Sequence, residues 1–449
     1  MQDQPLPDDR KKTLSGNRHR RSRLLCLLYF SQGTPWGFAT IALLATLSEA
    51  GHSKADTATV VAMAILPWTF KFVWGPVIDS FRMPAFGIRR PWIAIAQLFM
   101  AVTLIGAATQ GALSSESTLI YLAWVFFVHN CFASLQDVAT DALAVDLLEP
   151  NERGRVNGYM WGSKLAGIAV GGAGMAWVIS ATNIQTAAVV QALITLSVLG
   201  LVIAWLERPG ERRFPWSPGT AQADPARGNF GILITLKELR RALSNGTTAK
   251  LLLIAAVYVM VEGLYDPLTV EFFVQHLDWS AARFATAQGT LGVTGELFGA
   301  LAGGYLCDRY GRRLMAGIGM LSMATVLLLF GATSMFWDAA WYPHVLLLPA
   351  FKGTLAFTTV SMFSLFMKVC WTRAAATQFT LYMAMSNLGY ALGAKWNSWI
   401  GLTGLDWGLA EFYLFGGALP LLSVLLLRGL DPDGIEARKQ AEQRALEPS

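Results

Sequence analysis

Gly304-Tyr305-Leu306-Cys307-Asp308-Arg309-Tyr310-Gly311-Arg312-Arg313 is a short charged turn between two long apolar runs, and the chain carries a second version of it. That version is Gly75-Pro76-Val77-Ile78-Asp79, followed by Arg89-Arg90 after a six-residue insertion. Each copy reads as a glycine, an aspartate four residues on, and then two arginines. The next basic turn recurs in step: Arg153 lies 63 residues after Arg90, and Arg373 lies 60 after Arg313. A charged turn repeated in register on this scale implies two halves built to one plan.

The runs around these turns are membrane spans. With 54% hydrophobic and 14% charged residues and a mean hydropathy of +0.43, the chain is too apolar for a soluble protein of 449 residues. About 20 apolar residues cross a bilayer, and twelve such stretches are expected near 24–48, 57–78, 91–110, 117–142, 155–180, 186–206, 250–275, 284–307, 314–335, 343–369, 375–400 and 410–427. The expected organisation is a basic tail (1–23), a six-helix bundle (24–206), a polar linker (207–249) rich in proline, a second six-helix bundle (250–428) and a tail (429–449). Within the linker, Gly231–Leu243 has the pattern of an amphipathic helix lying on the membrane surface. Span 1 does not read as a secretory signal, because its apolar run is too long and lacks a small-residue cleavage site.

Basic residues fall on one side: Arg18, Arg20, Arg21 and Arg23, then Arg82, Arg89 and Arg90, Arg153 and Arg155, Arg208, Arg212 and Arg213, and Arg309, Arg312 and Arg313. The other side offers Lys54 and Arg283. The positive-inside rule then makes both termini and the linker cytoplasmic. The net charge of +5 comes from these loops and does not indicate a nucleic-acid partner. Cys26, Cys131, Cys307 and Cys370 form no CxxC pair, and the five histidines have no metal-ligand spacing. They read as fillers and scattered polar groups, and neither a metal nor a cofactor is expected. No GxxxxGK[ST] sequence occurs to support ATP-driven transport, and no catalytic constellation suggests an enzyme.

Charge inside hydrocarbon persists mainly where it faces protein or a watery path. The interiors of spans 3, 6, 9 and 12 have none, whereas spans 2, 4, 5, 7, 8, 10 and 11 carry Lys71, Asp137, Asp141, Lys164, Glu262, Asp266, Glu271, Glu296, Lys352 and Lys395. This pattern marks a transporter. Glu262 and Glu296 lie near the centres of spans 7 and 8, where desolvation favours a carboxyl that takes and releases a proton. Asp266 shares the face of Glu262 four residues on, beside Pro267. The alternative for these carboxyls is a permanent ion pair with Lys352 or Lys395. Expected cavity contacts are Gln32 and Trp36 in the polar centre of span 1, Lys71, His129, Asn130, Asp137, Trp161, Lys164, Tyr258, Tyr265 and Lys352. Lysines suit an anionic substrate, aromatics a sugar face, and each residue keeps a packing role as its alternative.

The second-copy turn resembles the signature loop of the major facilitator superfamily. That resemblance implies two pseudo-symmetric six-helix bundles around a central cavity, with spans 3, 6, 9 and 12 outermost. It also gives the gating group: Gly75, Asp79, Arg89, Arg90, Asp141, Asp146, Arg153, Gly304, Asp308, Arg309, Gly311, Arg312 and Arg313. Independently of it, an aspartate at a helix end can accept amides from a neighbouring helix, and arginine pairs can clamp carboxylates across the bundles. A narrower resemblance, to the AmpG-type muropeptide permeases and acetyl-coenzyme A transporters, is carried by Phe70-Lys71-Phe72-Val73-Trp74-Gly75-Pro76, Phe86-Gly87-Ile88-Arg89-Arg90-Pro91-Trp92, Ser134-Leu135-Gln136-Asp137, Asp141-Ala142, Asp146-Leu147, Glu152-Arg153-Gly154 and Ala376-Thr377-Gln378-Phe379. Lys164 stands where that family's pattern has an arginine. The resemblance implies proton-coupled import across a bacterial inner membrane by a carrier expected to act as a monomer. A sugar-peptide such as an anhydro-muropeptide leads the substrates. Siderophore uptake, small-molecule efflux and a non-transporting assembly factor are the alternatives.

Overall fold

A computed structural model describes residues 12–51, 54–111, 115–214, 216–219, 231–339, 346–371, 374–402, 407–430, 432 and 434. These residues are helical and contain no named strand; one isolated bridge, Met83 to Gly87, closes the loop after span 2. Eight helices among them are long and apolar enough to cross a membrane, and they correspond to spans 3, 4, 5, 6, 7, 9, 10 and 12. Spans 1, 2, 8 and 11 are the remaining helical stretches, at Arg18–Glu49, Lys54–Ser80, Ala281–Tyr310 and Ala375–Leu402. They are less apolar or are interrupted. Span 1 contains Ser31-Gln32-Gly33-Thr34-Pro35, and span 2 breaks into a 3-10 turn at Lys71–Val73.

The two halves start alike. Asn17 caps span 1 by accepting the Arg20 amide at 3.0 Å, and Asn245 caps span 7 by accepting the Thr247 amide at 2.9 Å. Each satisfies an amide that the first helical turn leaves without a partner. Among the described residues five π turns, at Phe38–Ala42, Val170–Gly174, Phe272–His276, Gln288–Gly292 and Leu346–Phe351, fall in spans 1, 5, 7, 8 and 10. The outer spans 3, 6, 9 and 12 run through as α-helix. A π turn adds a residue to the ladder and is common at functional sites, and four of the five lie in spans that also carry intramembrane charge.

Small residues set the tightest contacts, as expected where lipid removes the hydrophobic drive between helices. A Cβ on Gly33, Gly37, Gly167 or Gly171 would run into backbone of the facing helix where spans 1 and 5 meet. Gly263, Gly389 and Gly393 do the same for spans 7 and 11, the corresponding pair of the second half. Span 8 ends at Gly311, whose φ of +96° turns the chain directly into span 9; a side chain there would be strained.

The chain forms two compact units. The first contains Met1–Leu148, Ser163–Leu239 and Thr372–Thr380; the second contains Glu149–Gly162, Arg240–Trp371 and Leu381–Ser449. The start of span 5 belongs to the second unit and the start of span 11 to the first, which departs from the expected division at residues 207–249 into two contiguous bundles. The glycines explain both placements. Gly154 and Gly158 let span 5 approach the backbone of Gly304 and Ala300, and Gly75 lets span 2 approach Thr377. The linker stretch Gly231–Leu243 is helical, with Ile232, Leu233 and Ile234 exposed and Thr235 buried against Ser80 at 2.9 Å.

Candidate functional site

The repeated aspartates each receive a helix start. Asp79 is fully buried at the end of span 2 and accepts the amides of Ala376 (3.4 Å) and Thr377 (2.8 Å) plus the Thr377 hydroxyl (2.8 Å). Asp308 accepts the amides of Gly154 and Arg155, both at 2.8 Å. A carboxylate on the positive end of a helix dipole, bonded to two amides, is the favourable placement for its charge.

The arginine pairs differ between copies. Buried Arg89 bridges two carboxylates, with Nη1 2.8 Å from Asp79 and Nε 2.8 Å from Asp146, all within the first unit. Burial opposes its charge, but Asp146 and Asp79 outweigh it and raise the guanidinium pKa above its ordinary value. Arg90 donates to the carbonyls of Phe86 and Arg212. In the second copy Arg312 bonds Ser364 (2.8 Å) and the Pro150 carbonyl, while Arg313 bonds the carbonyls of Leu430 and Arg428. The expected clamp across bundles is therefore corrected: Arg89 clamps within its own unit, and the bonds of Arg312 and Arg313 go to neutral groups. The helix Lys352–Val369 carries no carboxylate to take the place of Asp146. Arg309 is exposed, its guanidinium 5.5 Å from the Tyr310 ring centre, and Arg153 is half-buried.

The first unit holds a charged cluster within its spans. Lys71 pairs with Asp137 at 2.9 Å, and Gln32 donates to the other Asp137 oxygen at 2.6 Å. Asp141, one turn on, accepts the Tyr29 hydroxyl at 2.6 Å. Trp68 is the centre of the arrangement. Its indole donates to Asn130 at 2.8 Å, Trp36 meets its ring edge-on at 5.8 Å, and the ammonium groups of Lys71 and Lys164 lie 5.7 and 5.8 Å from its centroid. The structure thus gathers Gln32, Trp36, Lys71, Asn130, Asp137 and Lys164, with Asp141 beside them. His129 does not join them: it is buried with Nδ1 2.9 Å from the Thr103 hydroxyl of span 3, and its ring packs on Phe126.

The second unit has a matching cluster. Lys352 stands 3.0 Å from Asp266 and 3.6 Å from Glu262, and the Tyr390 hydroxyl donates to the second Asp266 oxygen at 3.0 Å. Tyr265 lies under the lysine, 5.4 Å from ammonium to ring, stacks on Phe351 and donates to the Leu347 carbonyl at 2.6 Å. Glu296 is held separately by the Trp161 indole at 2.9 Å. Tyr258 is fully buried, and Lys395 is exposed, so the ion-pair partner of span 7 is Lys352. Each unit therefore pairs two carboxylates one helical turn apart with a lysine and a tyrosine from other spans.

Sequence reasoning did not single out Tyr29, Trp68, Tyr390 or Glu207. The first three come from distant spans, and one aromatic in an apolar run carries no periodic signal. Glu207 accepts the amides of Ile88, Arg89 and Arg90 at 2.9, 2.9 and 3.3 Å, capping span 3 from the linker. Glu211 in turn accepts the Glu207 amide at 2.9 Å. Burial, then the neighbouring Glu207, push the Glu211 carboxyl up to about 8. All four cysteines are free, and among the described residues no three His, Cys, Asp or Glu side chains come together to hold a metal ion.

Comparison with known proteins shows the family and the fold. The family model described as Major Facilitator Superfamily matches residues 25–394 and again 251–448. The anhydromuropeptide permease of Escherichia coli K12 is 26% identical over 435 residues, covering 91% of this chain and 79% of that protein. A putative transporter AmpG 1 of Rickettsia bellii is 19% identical over 392 residues, covering 83% and 89%. Among solved structures, the human organic anion transporter MFSD10 superposes with a TM-score of 0.66 at 14% identity, covering 92% of this chain and 99% of that one. The transporter FucP in its outward conformation gives 0.65 at 14% identity, with 91% and 98% covered. The aspartate cradles, the repeated halves and the family match lead to one statement: this chain is an integral membrane transporter, not an enzyme, and belongs to the Major Facilitator Superfamily.

Proposed function

We propose that the chain is a proton-coupled importer of an anionic sugar-peptide of the anhydro-muropeptide type. The observation that carries the coupling is the position of Lys352 between Asp266 at 3.0 Å and Glu262 at 3.6 Å. One ammonium cannot balance two carboxylates, and an unbalanced charge within a membrane is costly. A proton on one carboxyl closes the balance, and Glu262, the more distant of the two, carries it. Deprotonation returns the excess charge and biases the unit toward its other state. Glu296, bonded to Trp161, is the secondary proton site.

Substrate chemistry follows from the first unit. Trp68, fixed by Asn130 and flanked by Lys71 and Lys164, offers an aromatic face to a sugar and cations to a carboxylate. A relative 26% identical over 91% of the chain is an anhydromuropeptide permease, which supports the same class. Asp79 and Asp308 act as latches: releasing their amide bonds frees the starts of spans 11 and 5 in the alternating cycle. On this reading the carrier works as a monomer in the bacterial inner membrane with its basic loops and both termini in the cytoplasm.

The test is uptake of labelled anhydro-muropeptide into proteoliposomes with and without an inward proton gradient. Accumulation above equilibrium only with the gradient is the expected result. Equal uptake in both conditions removes the coupling, and no uptake by correctly oriented protein removes the substrate class.

A further inference from the structure

At the basic end of the second unit, spans 9, 10 and 12 line an open cavity of about 530 Å³. Arg312 and Arg313 begin the helix Arg312–Ala332, Lys368 stands in the last turn of Lys352–Val369, and Arg428 ends Leu409–Arg428. Three helix ends therefore bring four cationic side chains to one lining. No acidic residue belongs to that lining among the described residues; Asp431 and Asp433, on either side of Pro432, lie outside them. The bonds of Arg312 go to Ser364 and the Pro150 carbonyl, and those of Arg313 to the Leu430 and Arg428 carbonyls. These acceptors are neutral and leave the positive charge in place.

Away from the cations the wall is apolar. Leu314, Ile318 and Leu321 follow one another at helical spacing on span 9, all of them lining the cavity and all exposed. A free anion would use only the cationic rim. A molecule that uses both parts carries a phosphate at the headgroup level and an alkyl chain running into the bilayer, because basic pockets between membrane helices suit anionic headgroups.

We propose that this cavity is a binding site for an anionic phospholipid, with its phosphate among Arg312, Arg313, Lys368 and Arg428 and an acyl chain along Leu314, Ile318 and Leu321. The site is independent of the substrate and proton chemistry proposed above.

The experiment titrates the purified full-length protein in neutral detergent with dioleoyl phosphatidylglycerol and counts bound lipid by native mass spectrometry. Dioleoyl phosphatidylcholine and inorganic phosphate are run in parallel. Phosphatidylglycerol binds at least about tenfold more tightly than phosphatidylcholine, and inorganic phosphate at equal concentration does not displace it. The Lys368→Gln/Arg428→Gln variant weakens it about 30-fold, the effect of two lost surface cations. Ile318→Trp, which fills the apolar wall and leaves the charge unchanged, also weakens it. Arg240→Gln/Arg241→Gln removes two cations elsewhere and leaves affinity unchanged. Equal binding of the two lipids, displacement by free phosphate, an equal loss in the Arg240/Arg241 variant, or no effect of either cavity variant overturns the proposal.

Discussion

Thr377 gives Asp79 both its backbone amide and its hydroxyl, each at 2.8 Å, while Arg89 holds the other carboxylate oxygen at 2.8 Å. Every partner of this buried carboxylate is a donor. In Asp79→Asn the new amide group must turn its own donor toward either Thr377 or Arg89. Breaking a buried charged pair from one side costs about 3–5 kcal/mol, so the variant is expected to lower the unfolding midpoint in detergent and to lose most uptake. Thr377→Ala keeps the amide and is expected to cost about 1 kcal/mol.

Lys352 is the next position to test. Lys352→Met leaves Glu262 and Asp266 as neighbouring carboxylates without their cation, and gradient-driven uptake is expected to fall at least about 100-fold, the scale of a lost buried charge partner. Lys352→Met/Asp266→Asn restores the charge count and is expected to recover folding, read as monodispersity and unfolding midpoint, toward the unmodified protein. A double variant less stable than the single one would contradict the pairing.

The linker carboxyls supply a pH dependence. Burial, then Glu207, push the Glu211 carboxyl up to about 8, above the ordinary value of about 4.3 that it has unfolded. The native state then holds a proton that the unfolded state releases between these values. The contribution to stability is full below about 4.3 and is lost as pH rises through about 8. Hydrogen exchange at the amides of Ile88, Arg89 and Glu207 is expected to speed up between pH 6 and 9 beyond the intrinsic rate. Glu211→Gln, which keeps an acceptor for the Glu207 amide, is expected to remove that extra dependence.

Helix contact through glycine gives a stability contrast. A Cβ at Gly171 meets the Thr34 carbonyl, whereas one at Gly200 meets nothing within 4 Å. Gly171→Ala is expected to lower the unfolding midpoint by several degrees. Gly200→Ala is expected to leave it unchanged or raise it slightly, since alanine is the better helix former by up to about 1 kcal/mol.

His129 is expected to behave as a packing residue. It bonds Thr103 and lies on Phe126, away from Lys71 and Asp137. His129→Gln should keep uptake within about twofold, on the scale of an uncharged hydrogen bond in a membrane. A larger change in uptake with an unchanged unfolding midpoint would assign it a part in transport.

Much of the fold could be read from the chain because membrane physics writes itself in runs and turns. The GxxxD turns at Asp79 and Asp308 announced two halves, and charge-free spans 3, 6, 9 and 12 separated two kinds of helix. The i, i+4 spacing of Asp137 with Asp141 and of Glu262 with Asp266 put each pair on one helical face. Which neighbour each face meets was not readable. Tyr29 reaches Asp141 across 112 residues and Tyr390 reaches Asp266 across 124, and nothing local encodes such a meeting. The same gap explains His129: its depth in span 4 was evident, but its direction toward span 3 depends on helix rotation, which tertiary packing sets. The exchange of Glu149–Gly162 and Thr372–Thr380 between units follows from close approaches at Gly154 and Gly75, whose facing backbones the sequence does not name.

The most direct test of the central claim is proton movement itself. Proteoliposomes containing a trapped pH dye are mixed with anhydro-muropeptide at equal pH on both sides, and the unmodified protein is compared with Glu262→Gln. The account expects substrate to acidify the interior with the unmodified protein. It expects no acidification with Glu262→Gln, although that variant still exchanges labelled for unlabelled substrate. Acidification of equal size and rate in Glu262→Gln would contradict Glu262 as the coupling group.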